Sequence, residues 1–270
     1  MAGGETMQAR NKTTGNLSRR AFLQMAGGAG VVLLGSTLLS ACGGSGSTAR
    51  APSADDTILG AAKVAEALAT TMYTQIIRQA PFFGRLSPFD QNYFRAAREV
   101  EMAHYQLLVS ATGNAPTPVD TFYFPQGMFV DAKVTLDTLV TLEDAFIAAY
   151  LVGVRDLSTP ELRVTAARIL AVESDHRTVA RVVASEIDPA DGGPFTTLKG
   201  LAGREEPVDP PNNNAFARTY RLASIQDAVN ALQPFINAEA ARERGFDVSK
   251  PYRFEPFTPT LPSELGGIDG

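Results

Sequence analysis

The chain contains two histidines, and each stands three residues after a glutamate, in Glu101-Met-Ala-His104 and in Glu173-Ser-Asp-His176. Residues three apart on an α-helix share a face, so a single turn can present a carboxylate and an imidazole to the same metal ion. The surroundings have the helical period: Tyr93, Ala97, Val100, Glu101, His104 and Leu108 fall on one stripe, and Ile169, Val172, Glu173, His176 and Ala180 on another. Each motif is therefore predicted to point into a core. A second element precedes each of them, Glu66 followed seven residues later by Tyr73, and Glu143 followed seven residues later by Tyr150. Seven residues is two turns less about 20°. Each glutamate and its tyrosine thus share a face, with the ring leaning back toward the turn that carries the glutamate.

A lone Glu-x2-His says little, because a single buried histidine is more often a satisfied core residue than a ligand. Four helices supplying Glu, Glu plus His, Glu, and Glu plus His, in that order, say much more. Burying four carboxylates and two imidazoles without a cation would cost several kcal/mol per charge. The arrangement resembles the di-metal carboxylate proteins of the ferritin-like superfamily, among them ferritins, bacterioferritins and rubrerythrins, over roughly residues 56 to 186. The resemblance implies two iron or two manganese ions. Glu66 and Glu143 would each bind one, Glu101 and Glu173 would bridge the pair, and His104 and His176 would each cap one. It also implies that Tyr73 and Tyr150 assist the chemistry as hydrogen-bond donors to the ligand carboxylates.

The elements that must position these residues are readable around them. Residues 1–41 read as a signal peptide: Ser18-Arg19-Arg20-Ala21-Phe22-Leu23 resembles a twin-arginine export signal, followed by an uncharged apolar stretch from Met25 to Ser40 that is short for a membrane span. Leu39-Ser40-Ala41-Cys42 resembles a lipoprotein signal-peptidase site, and Cys42 is the sole cysteine. Residues 42–54 have the composition of a flexible tether. Residues 55–188 are expected to form an all-α, ferritin-like four-helix bundle. Helix 1 runs from about Asp55 to Gln79, helix 2 from Ser87-Pro88 to about Ala111, helix 3 from about Asp131 to Arg155, and helix 4 from a capping box in Ser158-Thr159-Pro160-Glu161 to about Ser185. The segment from about Thr112 to Val130 carries three prolines and is long for a bundle turn, as a crossover between parallel helices 2 and 3 requires. Residues 189–270 read as a mostly irregular extension packed on the bundle, with one short helix from Ser224 to about Phe235 and an aromatic, proline-rich tail. Such an appended region is similar to that of ferritin-like lipoproteins related to plant desiccation-related proteins.

Composition narrows the function. The net charge is −5 over 270 residues, and removing residues 1–41 takes away four basic side chains and one acidic one, leaving −8. That excludes nucleic-acid binding. The single cysteine excludes structural disulfides and a four-cysteine iron site, a departure from rubrerythrin. The expected partners are metal ions, oxygen or peroxide, and a lipid membrane reached through the modified Cys42, on the extracytoplasmic side. A homodimer is left open, whereas a closed storage cage is awkward for a lipid-anchored subunit. Two divalent ions about 3.5 to 4 Å apart can share one dioxygen or peroxide, so the leading expectation is an Fe(II)-oxidising or peroxide-consuming protein. The alternative is a stress-related structural protein that its metals merely stabilise. Replacing Cys42 by Ser should leave export intact and release the protein from membranes, whereas Arg19→Lys with Arg20→Lys should retain the precursor inside, as read by fractionation. A native N-terminus that is unmodified and lies at another residue would refute lipidation.

Overall fold

The computed structural model describes residues 53–212 and 220–260. The expected export signal and Cys42 lie outside the described residues. Among those described the fold is mainly helical, with four long helices, α1 (Ala54–Gln79), α2 (Pro88–Ala111), α3 (Ala132–Asp156) and α4 (Pro160–Glu186), followed by α5 (Ile225–Ile236) and the short α6 (Ala238–Glu243).

Local chemistry sets the helix ends. Ser53 and Asp56 form a reciprocal capping box at α1, satisfying two of the free amides of its first turn. α1 stops at Ala80, beyond which Pro81 opens a 3-10 turn over Pro81–Arg85. Ser87 caps α2 with Pro88 at its first position, and Asp131 caps α3 by accepting from the Val134 amide. At α4 the structure corrects the expected capping box. Thr159 is the cap, accepting from the Leu162 amide at 3.2 Å. Ser158 turns away because its amide and hydroxyl both donate to Asp55 at the start of α1.

α2 ends at Gly113 and Asn114, both at positive φ, and the chain then makes the long passage to α3. That passage is pinned at several points. Its strand β1 (Thr121–Phe122) pairs antiparallel with β4 (Tyr252–Arg253), Thr121 standing opposite Arg253. The Tyr123 amide donates to the Phe235 carbonyl, and the Phe254 amide to that of Asp120. Phe122, Phe124, Met128 and Phe129 are buried, with Phe124 edge-on to Phe129, Phe235 and Tyr252. Proline-rich as it is, the connection therefore contributes its own share of the core.

The extension lies along the bundle. α5 buries Ala228, Val229, Leu232 and Phe235 and touches both α1 and α3, so these two helices are covered on nearly every side. A hairpin of β2 (Thr197–Lys199) and β3 (Glu205–Pro207) sits outside α3 and α4. Arg181 of α4, wholly buried, donates to the Pro207 carbonyl at 2.6 Å and to Glu206 at 3.0 Å. Asp144 of α3 pairs with Arg177 and accepts from the Leu201 amide at 3.1 Å. Gly200 is required there, since a Cβ at that position would stand 2.5 Å from the Asp144 carboxylate. Neither α6 nor the strands are marked by hydrophobic periodicity in the sequence.

Phe254 is buried edge-on to Tyr105 at 4.7 Å between ring centroids, although it lies in the last described segment. Phe254→Ala should therefore cost about 3 kcal/mol, read as a lower urea midpoint. A change within about 0.5 kcal/mol would mean that the tail adds nothing to the fold.

Candidate metal centre

The four long helices each bring their predicted residues to one place. Glu66 comes from the middle of α1, Glu101 and His104 from α2, Glu143 from α3, and Glu173 and His176 from α4. Their ligating atoms fall into two groups, one of Glu66, Glu101, His104 and Glu173, the other of Glu101, Glu143, Glu173 and His176, each with its atoms within 4.8 Å of one another. Glu101 and Glu173 belong to both. Glu101 turns Oε1 to His176 Nδ1 at 2.8 Å and Oε2 to His104 Nδ1 at 3.7 Å. Glu173 does the converse, Oε1 lying 3.5 Å from His104 and Oε2 3.3 Å from His176. Glu66 stands beside His104 at 3.4 Å and Glu143 beside His176 at 4.0 Å. Two carboxylates thus lie between two half-sites, and one carboxylate and one imidazole close each end.

The donors match a pair of divalent cations. Glu66 Oε2, Glu143 Oε2, both oxygens of Glu101 and of Glu173, and the Nδ1 atoms of both histidines are buried without a hydrogen-bond partner. Buried polar atoms are ordinarily satisfied. Nearby buried cations of the fold are engaged elsewhere: Lys63 donates to Thr112 and to the Ala115 carbonyl, Arg177 pairs with Asp144, and Arg181 with Glu206. Four carboxylates with two neutral imidazoles balance two divalent ions, and oxygen with imidazole nitrogen suits iron, manganese or zinc.

The metal-free electrostatics show the same mismatch. Burial, reinforced by the charges of Glu101 and Glu173, pushes the Glu66 carboxyl well above its ordinary range, and burial with the charge of Glu173 does the same to Glu143. Burial disfavours a charge on either histidine. The surrounding carboxylates outweigh it and hold both imidazoles well above the usual histidine value, Glu66 acting first on His104 and Glu101 first on His176. Glu101 goes the other way: burial is overcome by the charge of His176 and by the imidazole of His104 close by, so its carboxyl is held low. Metal-free, the cluster compensates itself by keeping protons.

Both predicted tyrosines reach the cluster, with a crossed connectivity that spacing within one helix does not convey. Tyr73 of α1 donates to Glu143 Oε1 of α3 at 2.8 Å, and Tyr150 of α3 donates to Glu66 Oε1 of α1. Each phenol bonds the glutamate of the facing helix and not the one seven residues before it on its own. Burial and the adjoining carboxylate raise both phenols well above their ordinary value, which keeps them protonated as donors. Tyr93, read at first only as part of the stripe on α2, lies edge-on to His176 at 6.1 Å between centroids, opposite Tyr73 at 5.6 Å. These two rings wall in the His176 half, whose side chain is 3% exposed against 12% for His104.

The family model of the ferritin-like domain matches residues 54–186, the span of α1 to α4. These residues form a ferritin-like domain. Nothing matches the chain among the curated proteins or among the solved structures. The ferritin-like domain carries all six donors and both phenols, while the extension supplies the hairpin and α5 around it.

The raised groups set a pH dependence. A carboxyl or imidazole whose folded pKa lies above its unfolded value adds stability below the unfolded pKa and loses it as pH rises through the folded one. For Glu66 and Glu143 the loss begins above their ordinary 4.5, and for His104 and His176 above 6.5. Glu101 opposes this only toward low pH. The melting temperature of metal-free protein should therefore fall as pH rises above about 6.5, and added Mn(II) should release protons and oppose the fall. A metal-free protein whose stability shows no such fall would contradict this electrostatic picture.

Proposed function

We propose that this ferritin-like protein binds two divalent ions between Glu66, Glu101, His104, Glu143, Glu173 and His176 and oxidises Fe(II) with oxygen or peroxide. The observation that carries the reading is the sharing of Glu101 and Glu173 by two otherwise separate donor sets whose atoms lack protein partners. Bound iron would supply the change of oxidation state. Oxidation of two Fe(II) by one electron each would be balanced by dioxygen taking both electrons with two protons to become hydrogen peroxide, or by hydrogen peroxide taking both with two protons to become two waters. A manganese pair that disproportionates peroxide is the variant.

The chain's own groups do the rest. Four carboxylates favour the more highly charged oxidised state, because every added positive charge is matched at short range in a site with little water. Glu101 and Glu173 hold the two half-sites in register. Tyr73 and Tyr150 fix one oxygen each of Glu143 and Glu66 and leave the other free to face the centre, and their phenol protons stand beside it. The 12% exposure of the His104 side chain makes that half the accessible one. Export as a lipid-anchored protein on the extracytoplasmic side belongs to the same proposal. It rests on the paired Arg19-Arg20 and on Cys42. The twin-arginine route carries folded proteins, which would allow metal loading before export.

Metal-free protein given Fe(II) and oxygen or peroxide should form a ferric species at about two irons per chain, faster than iron oxidises in buffer. His104→Ala and His176→Ala should each slow this by about 10-fold or more. If both variants lose metal and melt lower while the wild type oxidises iron no faster than buffer and shows no peroxide disproportionation with manganese, the redox reading is wrong. The metal would then be structural, stabilising by mass action alone.

A further inference from the structure

At one end of the bundle the helices fail to fill the space between them. The N-terminal half of α1, the C-terminal ends of α2 and α3 and the first turns of α4 enclose a cavity of about 40 Å³. Its walls are built from small residues at positions where a bundle core could take Leu: Ala61, Ala62, Ala65, Ala149, Gly153 and Ala166. α5 covers it from outside with Ile225, Val229 and Leu232. The lining is almost wholly apolar. A water molecule needs roughly 10 to 15 Å³ and two to four polar partners, and genuinely apolar cavities stay dry. This one has the volume for a small molecule and lacks the partners for water.

Its place in the fold is specific. Tyr150 is part of the wall, and its hydroxyl donates to Glu66 of the metal centre. Ala65 precedes Glu66 in sequence, and Leu107 and Leu108 lie one turn beyond His104 on α2, so the cavity adjoins the more accessible half-site. Leu107, half-exposed, forms its outer rim.

We propose that this cavity is a binding site for a small apolar molecule, dioxygen in an aerobic setting, held beside the Glu66–His104 half of the centre. The chemistry selects the occupant. Dioxygen has no hydrogen bonds to lose on leaving water, whereas hydrogen peroxide would surrender several without replacement, a cost of several kcal/mol. Dioxygen therefore reaches the centre through this end of the bundle, and peroxide does not. The role of the occupant as oxidant rests on the proposed function; its apolar character rests on the cavity alone.

The probe is xenon, which occupies dry apolar cavities of this kind. Xenon-pressurised crystals of the mature chain, or 129Xe shifts in solution, should place xenon among Ala62, Ala166 and Tyr150. Ala166→Leu should abolish that occupancy, and Ala62→Leu provides a second filled variant should the first fail to fold. In Fe(II) oxidation the filled variants should require about tenfold more oxygen for half-maximal rate, with the peroxide-driven reaction changed by less than about twofold. Absence of xenon from this site in the wild type overturns the proposal, as do filled variants that exclude xenon yet keep the wild-type oxygen dependence. Xenon bound in a wild type that oxidises no iron leaves the cavity's ligand class standing and removes the proposed function instead.

Discussion

Everything in this structure answers to the cost of placing four carboxylates and two imidazoles out of water in the middle of a helical bundle. At several kcal/mol per uncompensated charge, these groups would consume the whole net stability of a domain. Such a cluster persists only if protons or cations balance it. Its dryness is imposed from several directions: α1 and α3 are covered by α5, the crossover packs its aromatic residues into the core, and Tyr73 with Tyr93 encloses His176. The same dryness makes each carboxylate a strong donor to a cation, since short-range attraction is little screened there.

The centre is nearly symmetric in composition and unequal in surroundings. Each half has a terminal glutamate held by a phenol from the facing helix, a histidine, and one oxygen from each shared glutamate. One half is walled by aromatic rings and backed by the ion pair of Asp144 with Arg177, residues next in sequence to Glu143 and His176. The other half borders a loosely filled apolar space. A rigid side and a roomier side give the site a direction that the repeated motif alone does not convey.

The helices and the convergence of the six candidate residues were legible in the sequence because both rest on local rules. Ser53, Ser87 and Asp131 announce helix starts through side-chain chemistry within one turn, and Glu-x2-His places two donors on one face of one turn. What escaped depends on partners far away in the chain. The crossed bonds of Tyr73 and Tyr150 are set by a second helix. Nothing in the spacing marks Lys63, Asp144, Arg177 and Arg181 as buried: the three cations donate to a hydroxyl, carbonyl or carboxylate elsewhere in the chain, and Asp144 accepts from Arg177 and the Leu201 amide. The strands are two or three residues long, too short for any alternation to register. α6 did carry a signal, in the capping Asn237, an alanine-rich turn and Gly245 at positive φ, although six residues are few for a periodic reading.

The pairing of β1 with β4 ties the crossover in the middle of the bundle to a strand near the end of the chain. Contacts so distant in sequence form slowly, because a long loop must close before they are made. On the ribosome the ferritin-like helices emerge well before Tyr252 and Arg253 do. The aromatic cluster of Phe124, Phe129, Phe235 and Tyr252 is therefore among the last parts of the described core to close, after the four long helices have been made. In timing, the extension holds the crossover in place only after the four helices that carry the metal centre have been made.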